Sequence, residues 1–130
     1  MVDSLNKQIL LSQLWLFMLL NMVFRDIHEF FSPGTIQEAM TGVFNGVEIT
    51  EQLMLLGGFM VEIPISMVLV SRLLKRKANR WLNLVLAPLN AFMIIQNGVR
   101  DMDDVFFVIV KMLALTSIFL IALMWKEDSH

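Results

Sequence analysis

The sequence contains no cysteine, and only 17% of its 130 residues are charged. Without cysteine there is no disulfide framework, no thiol redox chemistry and no thiolate metal site. Internal repeats, low-complexity tracts and dividing linkers are also missing, which predicts a single domain over residues 1–130. The 10 lysines and arginines form no patch typical of nucleic-acid binding, so we expect no nucleic-acid partner.

Apolar residues dominate instead: 57% of the chain is hydrophobic, and the mean hydropathy is +0.68. They form four runs of about twenty residues each, the length that crosses a hydrocarbon core about 30 Å thick. No strand alternation interrupts these runs, so helices are expected. The sequence therefore predicts an all-α integral membrane protein, a four-transmembrane-helix bundle with spans near residues 7–24, 52–74, 81–99 and 105–125. No cleavage signature follows the first run, which is expected to be retained as a helix.

Charge is distributed unevenly between the connections. The loop between the second and third runs holds half of the basic residues, whereas the other two connections are acidic. The positive-inside rule places the basic loop, and with it both termini, in the cytoplasm. The basic residues of this loop are Arg72, Lys75, Arg76, Lys77 and Arg80.

The first outer connection, residues 26–51, is long enough to contain structure of its own. Ser32 and Pro33 suggest an N-cap and a first helical position, and residues 36–44 can form about two turns before the Asn45-Gly46 turn. Its aromatic and apolar side chains predict a short helix lying on the outer membrane interface as a lid. A plain connecting loop is the alternative.

The second run places Glu62 two residues before Pro64 in an apolar stretch. At a rise of about 1.5 Å per residue, Glu62 lies about 15 Å deep, near the bilayer midplane. A carboxyl group at that depth needs a proton, a cationic partner or a hydrated cavity. Pro64 favours a kink beside it. A protonated glutamic acid that ties two helices together is the structural alternative.

Asn83, Asn90 and Asn97 recur every seven residues in the third run, which predicts one polar stripe facing the bundle interior. There it either bonds across helices or lines a ligand path, and for Asn83, near the cytoplasmic end, bonding across helices is the better explanation. Pro88 is expected to bend this helix. Lys111 enters the fourth run by about 10 Å, from where it either snorkels outward or pairs with Glu62.

Most of these polar residues lie at the midplane or nearer the outer side, whereas the cytoplasmic halves are almost purely apolar apart from Gln13, Ser66 and Asn83. We therefore predict a polar pocket between kinked helices, open to the outside, with Glu62 at its inner end. His28, near the outer mouth, is not expected to bind a metal. The predicted ligand-binding residues are Glu62, Asn90, Asn97, Lys111, Asn21 and Arg25.

The run from Glu62 to Trp81 resembles the signature of an uncharacterised family of small bacterial membrane proteins. The matching elements are Glu62-Ile63-Pro64, Met67-Val68-Leu69, Ser71-Arg72 and Ala78-Asn79-Arg80-Trp81. The resemblance implies four helices and the bacterial inner membrane, and it implies no activity. In size and layout the chain is also similar to the DoxX-like four-helix membrane proteins.

Three functions are compatible with these features. The first is binding or transport of a small molecule, ion or lipid-like ligand, with dimerisation through Gly57 and Gly58 completing a pathway. The second is an accessory subunit, in which the polar residues only join helices and the basic loop docks a partner or anionic membrane lipids. The third is a membrane enzyme acting on a quinone or isoprenoid lipid, with Glu62 as acid or base. No cofactor is identified by the sequence.

Overall fold

A computed structural model describes residues 2–44, 46–97 and 102–126, with side chains described for 5–44, 46–96 and 102–126. The described part is almost entirely helical. Its elements are, in chain order, α1 (Val2–Phe30), α2 (Thr35–Met40), β1 (Val43–Phe44), β2 (Val47–Glu48), α3 (Glu51–Leu73), α4 (Arg76–Asn97) and α5 (Met102–Leu123). The two short strands pair antiparallel, with Val43 opposite Glu48 and Phe44 opposite Val47.

Local sequence explains where several elements begin and end. Thr50 caps α3, because its hydroxyl accepts the Leu53 amide at 3.1 Å and satisfies a donor that has no partner within the helix. The same helix ends where Leu74 turns extended, just before the basic residues that open α4. Gly34 precedes α2 with a φ of 84°, a left-handed conformation that favours glycine. The short helix therefore starts after this glycine.

The four long helices run antiparallel to their neighbours. Hydrogen bonds join the start of α1 to the end of α3, from Gln8 to Leu74 and from Ser12 to Val68. The end of α1 meets the start of α5 through Arg25 and Asp104. We call the end of the molecule at the α3–α4 connection the basic end, and the opposite end, which holds Arg25 and Asp104, the acidic end. α1 packs along α3 and α5, and α4 packs along α5 and less extensively on α3.

The centre is filled by apolar side chains that recur at helical spacing. On α1 these are Leu11, Trp15 and Met18, which are fully buried. The spacing of four and three residues places them on one face, as expected for the inward side of an amphipathic helix. Met67, Ala87, Ala114, Leu115, Ile118 and Trp125 complete the cluster from the other helices.

Three helices are long and apolar enough to cross a membrane: residues Leu5–Phe30, Glu51–Leu73 and Met102–Leu123. These three confirm the prediction of a helical protein compatible with a membrane. α4 is of similar length, 22 residues, but it begins with arginine and lysine and carries asparagines along its course. The composition of α4 alone does not mark it as a fourth span.

The outer connection differs from its prediction in detail. Its helix is only six residues long and begins at Thr35, so the prediction that Ser32 and Pro33 open it is wrong. The segment after it forms the β hairpin instead of further helix, with the Ile49 amide donating to the Gly42 carbonyl at 2.8 Å. Gly42 and Gly46 have φ values of 81° and 77°, which tight turns need and which few other residues adopt.

Candidate functional site

Glu62 does not lie where the sequence analysis placed it. The inward face of α3 consists of Pro64, Met67 and Ser71, all buried, and Glu62 projects from a different side and is exposed. It lines an open groove of about 320 Å³ between α3 and α4, beside Ser66 and Leu86. The prediction that Glu62 forms the inner end of a chamber shared by the helices is therefore wrong. Periodicity identifies residues that share a face, but packing against other helices determines which face turns inward.

The asparagine stripe of α4 does face the interior. Asn83 is fully buried, and Asn90 is 4% exposed. The amide of Asn90 donates to the carbonyl of Leu86 on its own helix, at 2.9 Å, and so does not join two helices. The side chain of Asn97 lies outside the described residues. Asn21 is half-buried on α1 and likewise donates to a carbonyl of its own helix, that of Phe17, at 2.9 Å.

Arg25 is the centre of the charged groups at the acidic end. Its Nε donates to Oδ1 of Asp104 at 2.8 Å, and its Nη1 lies 2.9 Å from Oε2 of Glu29 and 3.4 Å from Oδ1 of Asp26. The Arg25 and Asp104 side chains are 17% and 8% exposed, so this pair is largely removed from water. We call Arg25, Asp26, Glu29 and Asp104 the Arg25 cluster. An arginine with several carboxylate partners holds a fixed, charge-assisted geometry.

Lys111 lies on α5 seven residues beyond Asp104, which is two turns along the same face. It is 6% exposed, so it does not snorkel to the surface. Its ammonium group forms no hydrogen bond or ion pair with any residue whose side chain the structure describes, Glu62 included. The predicted Glu62–Lys111 pair is therefore absent. Lys111 instead interacts electrostatically over longer distances with Arg25, Asp26 and Asp104.

A polar cavity of about 300 Å³ adjoins the Arg25 cluster. It lies between the end of α1, the loop from Ser32 to Thr35, α2 and the start of α5. His28 lines it, 3.5 Å from Oδ2 of Asp103 and with its ring against the edge of Phe107. The charged residues of its wall are Arg25, His28, Glu29, Glu38, Asp103 and Asp104.

An apolar cavity of about 370 Å³ lies next to the polar one. The two cavities share Glu29 and Thr35 in their walls, so the last turn of α1 and the start of α2 separate them. The remaining wall of the apolar cavity comes from the end of α1, from α2, from the hairpin segment and from the start of α3, through Asp26, Phe30, Ala39, Phe44, Val47, Ile49, Leu53 and Met54. Ionic and apolar binding surfaces therefore meet at one end of the molecule.

The arrangement offers ion pairing and hydrogen bonding to a ligand. Within the described part of the chain, no group of three or more histidine, aspartate and glutamate side chains is placed to hold a metal ion. The polar cavity also includes residues that the sequence analysis did not assign to a ligand. These residues are Glu29, Glu38, Asp103 and Asp104, which belong to the two connections described above only as acidic. Paired aspartates directly before an apolar helix were the available signal for Asp103 and Asp104.

The basic end contains a second polar network, of which the sequence analysis singled out only Asn83. The indole of Trp15 donates to Oδ1 of Asn83 at 2.6 Å, and the Asn83 amide donates to Oδ1 of Asn79 at 2.7 Å. Asn79 in turn donates to the carbonyls of Ser71 and Leu74, at 2.7 and 3.1 Å. This chain of amides connects three helices through fully buried groups. The predicted role of Asn83 in joining helices agrees with its bond to Trp15, whereas Asn79 was not singled out.

Sequence comparison adds one relationship. The model of a family of unknown function, DUF6326, matches residues 3–130. The chain belongs to this family. Membership confirms the predicted resemblance to an uncharacterised family, and DUF6326 covers all five helices and both cavities. No curated protein and no solved structure matches the chain. The similarity to DoxX-like proteins stays a prediction.

Proposed function

We propose that this protein is a small integral membrane protein that binds or transports a small molecule, ion or lipid-like ligand at its acidic end. The observation that carries the proposal is the polar cavity beside the largely buried Arg25 cluster. Charged side chains in an apolar setting are costly to maintain, so their concentration around a cavity favours a binding role. Arg25 and the cavity take the central place that the sequence analysis gave to Glu62.

The cavity walls favour a cationic head group with an apolar body. Four carboxylates face the polar cavity, against one arginine and one histidine. Arg25 is already engaged by carboxylates, so it offers little attraction to an anion. The adjoining apolar cavity has room for a short hydrocarbon or ring system. A small amphipathic amine or quaternary ammonium compound fits both surfaces.

We further propose that α4 is the fourth membrane span. It connects the basic end, where α3 finishes, to the acidic end, where α5 begins, and so covers the same distance as its neighbours. Its buried asparagines face inward, which leaves an apolar outer surface for lipid. The outward side chains of α4 include Val85, Leu89, Phe92 and Ile95.

The proposed setting is the bacterial inner membrane, with both termini cytoplasmic. Arg72, Lys75 and Lys77 are exposed at the basic end, as the positive-inside rule expects of a cytoplasmic loop. The short helix α2 would then lie at the outer interface, where its exposed Ile36 and Met40 contact lipid.

Ligand binding is tested in phosphatidylcholine nanodiscs by calorimetry with two matched probes, hexyltrimethylammonium and hexylsulfonate. The cationic probe is expected to bind and the anionic one not to bind. Asp103→Asn lies in the cavity wall outside the Arg25 cluster and should weaken binding severalfold, and the matched control Glu62→Gln should leave it unchanged. Equal binding of both probes, or equal effects of the two substitutions, would contradict the proposal.

A role as an accessory subunit or homodimer is the second candidate, and the exposed start of α3 favours it. Every side chain from Glu51 to Glu62 is exposed, and a Cβ added at Gly57 or Gly58 would meet no atom within 4 Å. A second transmembrane helix could approach closely there and shield Glu62 from lipid. Cross-linking of a Gly58→Cys variant in membranes checks this, since a disulfide-linked dimer is expected only if two copies meet at α3.

A further inference from the structure

The basic end holds unsatisfied hydrogen-bond donors that the proposed ligand site does not use. Four buried side-chain polar atoms in the described part of the chain lack a partner, and three of them belong to Arg76, Arg80 and Trp125. They are the Nε atoms of both arginines and the indole Nε1 of Trp125. Trp125 is only 2% exposed, and its indole N–H has no acceptor in the described part of the chain. A buried donor left unpaired lowers the stability of the folded state.

The two arginines meet at the last residues of α5. Arg76 donates through Nη2 to the carbonyl of Trp125 at 2.7 Å, and Arg80 donates through Nη2 to the carbonyl of Leu123 at 3.3 Å. Being four residues apart on α4, the arginines share one helix face. Both guanidinium groups therefore lie over the end of α5, and neither forms an ion pair with a carboxylate in the described part of the chain.

An acceptor that carries negative charge and takes several N–H groups at once would satisfy these donors. A phosphate group has these properties, and guanidinium groups bind it through paired hydrogen bonds. The location of these residues indicates that the phosphate belongs to a membrane lipid. Trp125 closely follows the apolar helix α5, and Trp81 is exposed near the start of α4, at the level where interfacial tryptophans meet lipid head groups.

We propose that Arg76, Arg80 and Trp125 form a binding site for the phosphate of an anionic membrane lipid. Binding would turn the guanidinium groups towards the head group and give the unpaired N–H groups an acceptor. The exposed Arg72, Lys75 and Lys77 attract anionic lipid to this surface without contributing to the site itself. A defined site and a general surface attraction can therefore be separated by mutation.

Native mass spectrometry of the whole protein, released from nanodiscs containing phosphatidylglycerol and phosphatidylcholine, measures retained lipid. The wild type is expected to retain phosphatidylglycerol selectively. The variant R76Q/R80Q should lower that retention by at least about tenfold, as expected for lost hydrogen bonds to a charged group. The control R72Q/K77Q removes the same charge from exposed positions and should change retention less than about twofold. Equal losses in the two variants would overturn the proposal.

The indole resonances of the three tryptophans give a second readout that does not depend on the arginine variants folding. The N–H signal of Trp125, assigned with W125F, should move downfield when phosphatidylglycerol replaces phosphatidylcholine. The signal of Trp15, already bonded to Asn83, should stay in place. W125F itself should lower lipid retention severalfold. An unmoved Trp125 signal, or unchanged retention by W125F, would overturn the proposal.

Two other acceptors are tested in the same nanodiscs. Inorganic phosphate added to phosphatidylcholine nanodiscs should not shift the Trp125 signal, and a shift there would overturn the lipid as the source. Glu127 and Asp128 follow Trp125 in the sequence and offer carboxylates. The variant E127Q/D128N should leave lipid retention unchanged. A shift of the Trp125 signal caused by E127Q/D128N without anionic lipid would assign the acceptor to the chain itself and overturn the proposal.

Discussion

The two ends of this molecule use polar residues in opposite ways. At the basic end, Trp15, Asn83 and Asn79 form a neutral chain of hydrogen bonds in a filled interior. At the acidic end, Arg25 and its carboxylates surround open volume, with cavities of about 300 and 370 Å³ beside them. Neutral amides can be buried at little cost once they are paired, whereas charges need either water or a ligand. The amide chain therefore joins helices at the basic end, and the proposed small-molecule site belongs to the acidic end.

The largest expected effect comes from Trp15→Ala, which removes both a fully buried ring and the first donor of the amide chain. We expect the free energy of unfolding to fall by about 4 kcal/mol. Unfolding in mixed detergent micelles, followed by circular dichroism, measures the loss. The matched control Trp81→Ala changes an exposed ring and should cost less than about 0.5 kcal/mol. Similar losses in both variants would mean that the basic end is not the filled, structural end.

Arg25→Gln tests how much the Arg25–Asp104 ion pair at the acidic end contributes to stability. It breaks the largely buried ion pair between Arg25 and Asp104, and we expect a loss of about 3 kcal/mol in the same unfolding experiment. The double variant Arg25→Leu with Asp104→Leu removes both charges and should recover most of that loss, because an apolar pair replaces an ion pair well. If the double variant is as unstable as Arg25→Gln, the pair is not what stabilises the contact between α1 and α5.

Asn79→Ala tests the amide chain without removing volume from the apolar centre. The change removes Oδ1 of Asn79, which accepts a hydrogen bond from the Asn83 amide. It also leaves the carbonyls of Ser71 and Leu74 without their side-chain donor. We expect a loss of about 1–2 kcal/mol. Asn90→Ala, whose amide bonds only within its own helix, is the control and should cost about 0.5 kcal/mol. Equal losses would show that the chain across helices adds nothing.

The smallest effect is expected for Glu62→Leu. Because Glu62 is exposed in the groove between α3 and α4, the change should alter the free energy of unfolding of the monomer by less than about 0.5 kcal/mol. Binding of hexyltrimethylammonium at the acidic end should also stay the same. A loss of more than about 2 kcal/mol would indicate that Glu62 is packed in the interior, and it would contradict the distinction between the two ends.

Much of the fold follows from hydrophobic run length. The predicted spans near residues 7–24, 52–74 and 105–125 coincide with α1, α3 and α5, because a helix in lipid must satisfy its backbone over a fixed thickness. The β hairpin was missed, since two strands of two residues each leave almost no periodic signal. The start of α2 was misplaced because the conformation of Gly34 outweighed the serine and proline before it.

Less of the candidate site could be predicted. Arg25 and its neighbours stood out as charges at the end of an apolar run, but their partner Asp104 is distant in sequence. Glu62 stood out because it is a charge within an apolar run. Its depth along the predicted span did not indicate which side of α3 its side chain projects from. The inward face of α3 is set by contacts of Met67 and Ser71 with other helices, which a single helix does not encode. The two cavities arise only when α2 and the hairpin fold back over the helix ends.

The pairing of Arg25 with Asp104 has a consequence for how the chain is made. Arg25 belongs to the first helix and Asp104 to the last. Nearly eighty further residues are therefore synthesised after Arg25 before its partner Asp104 is available. During that interval Asp26 and Glu29, its immediate neighbours, are the partners within reach. Both carboxylates are close enough in sequence to balance the charge of Arg25 before the last helix is made.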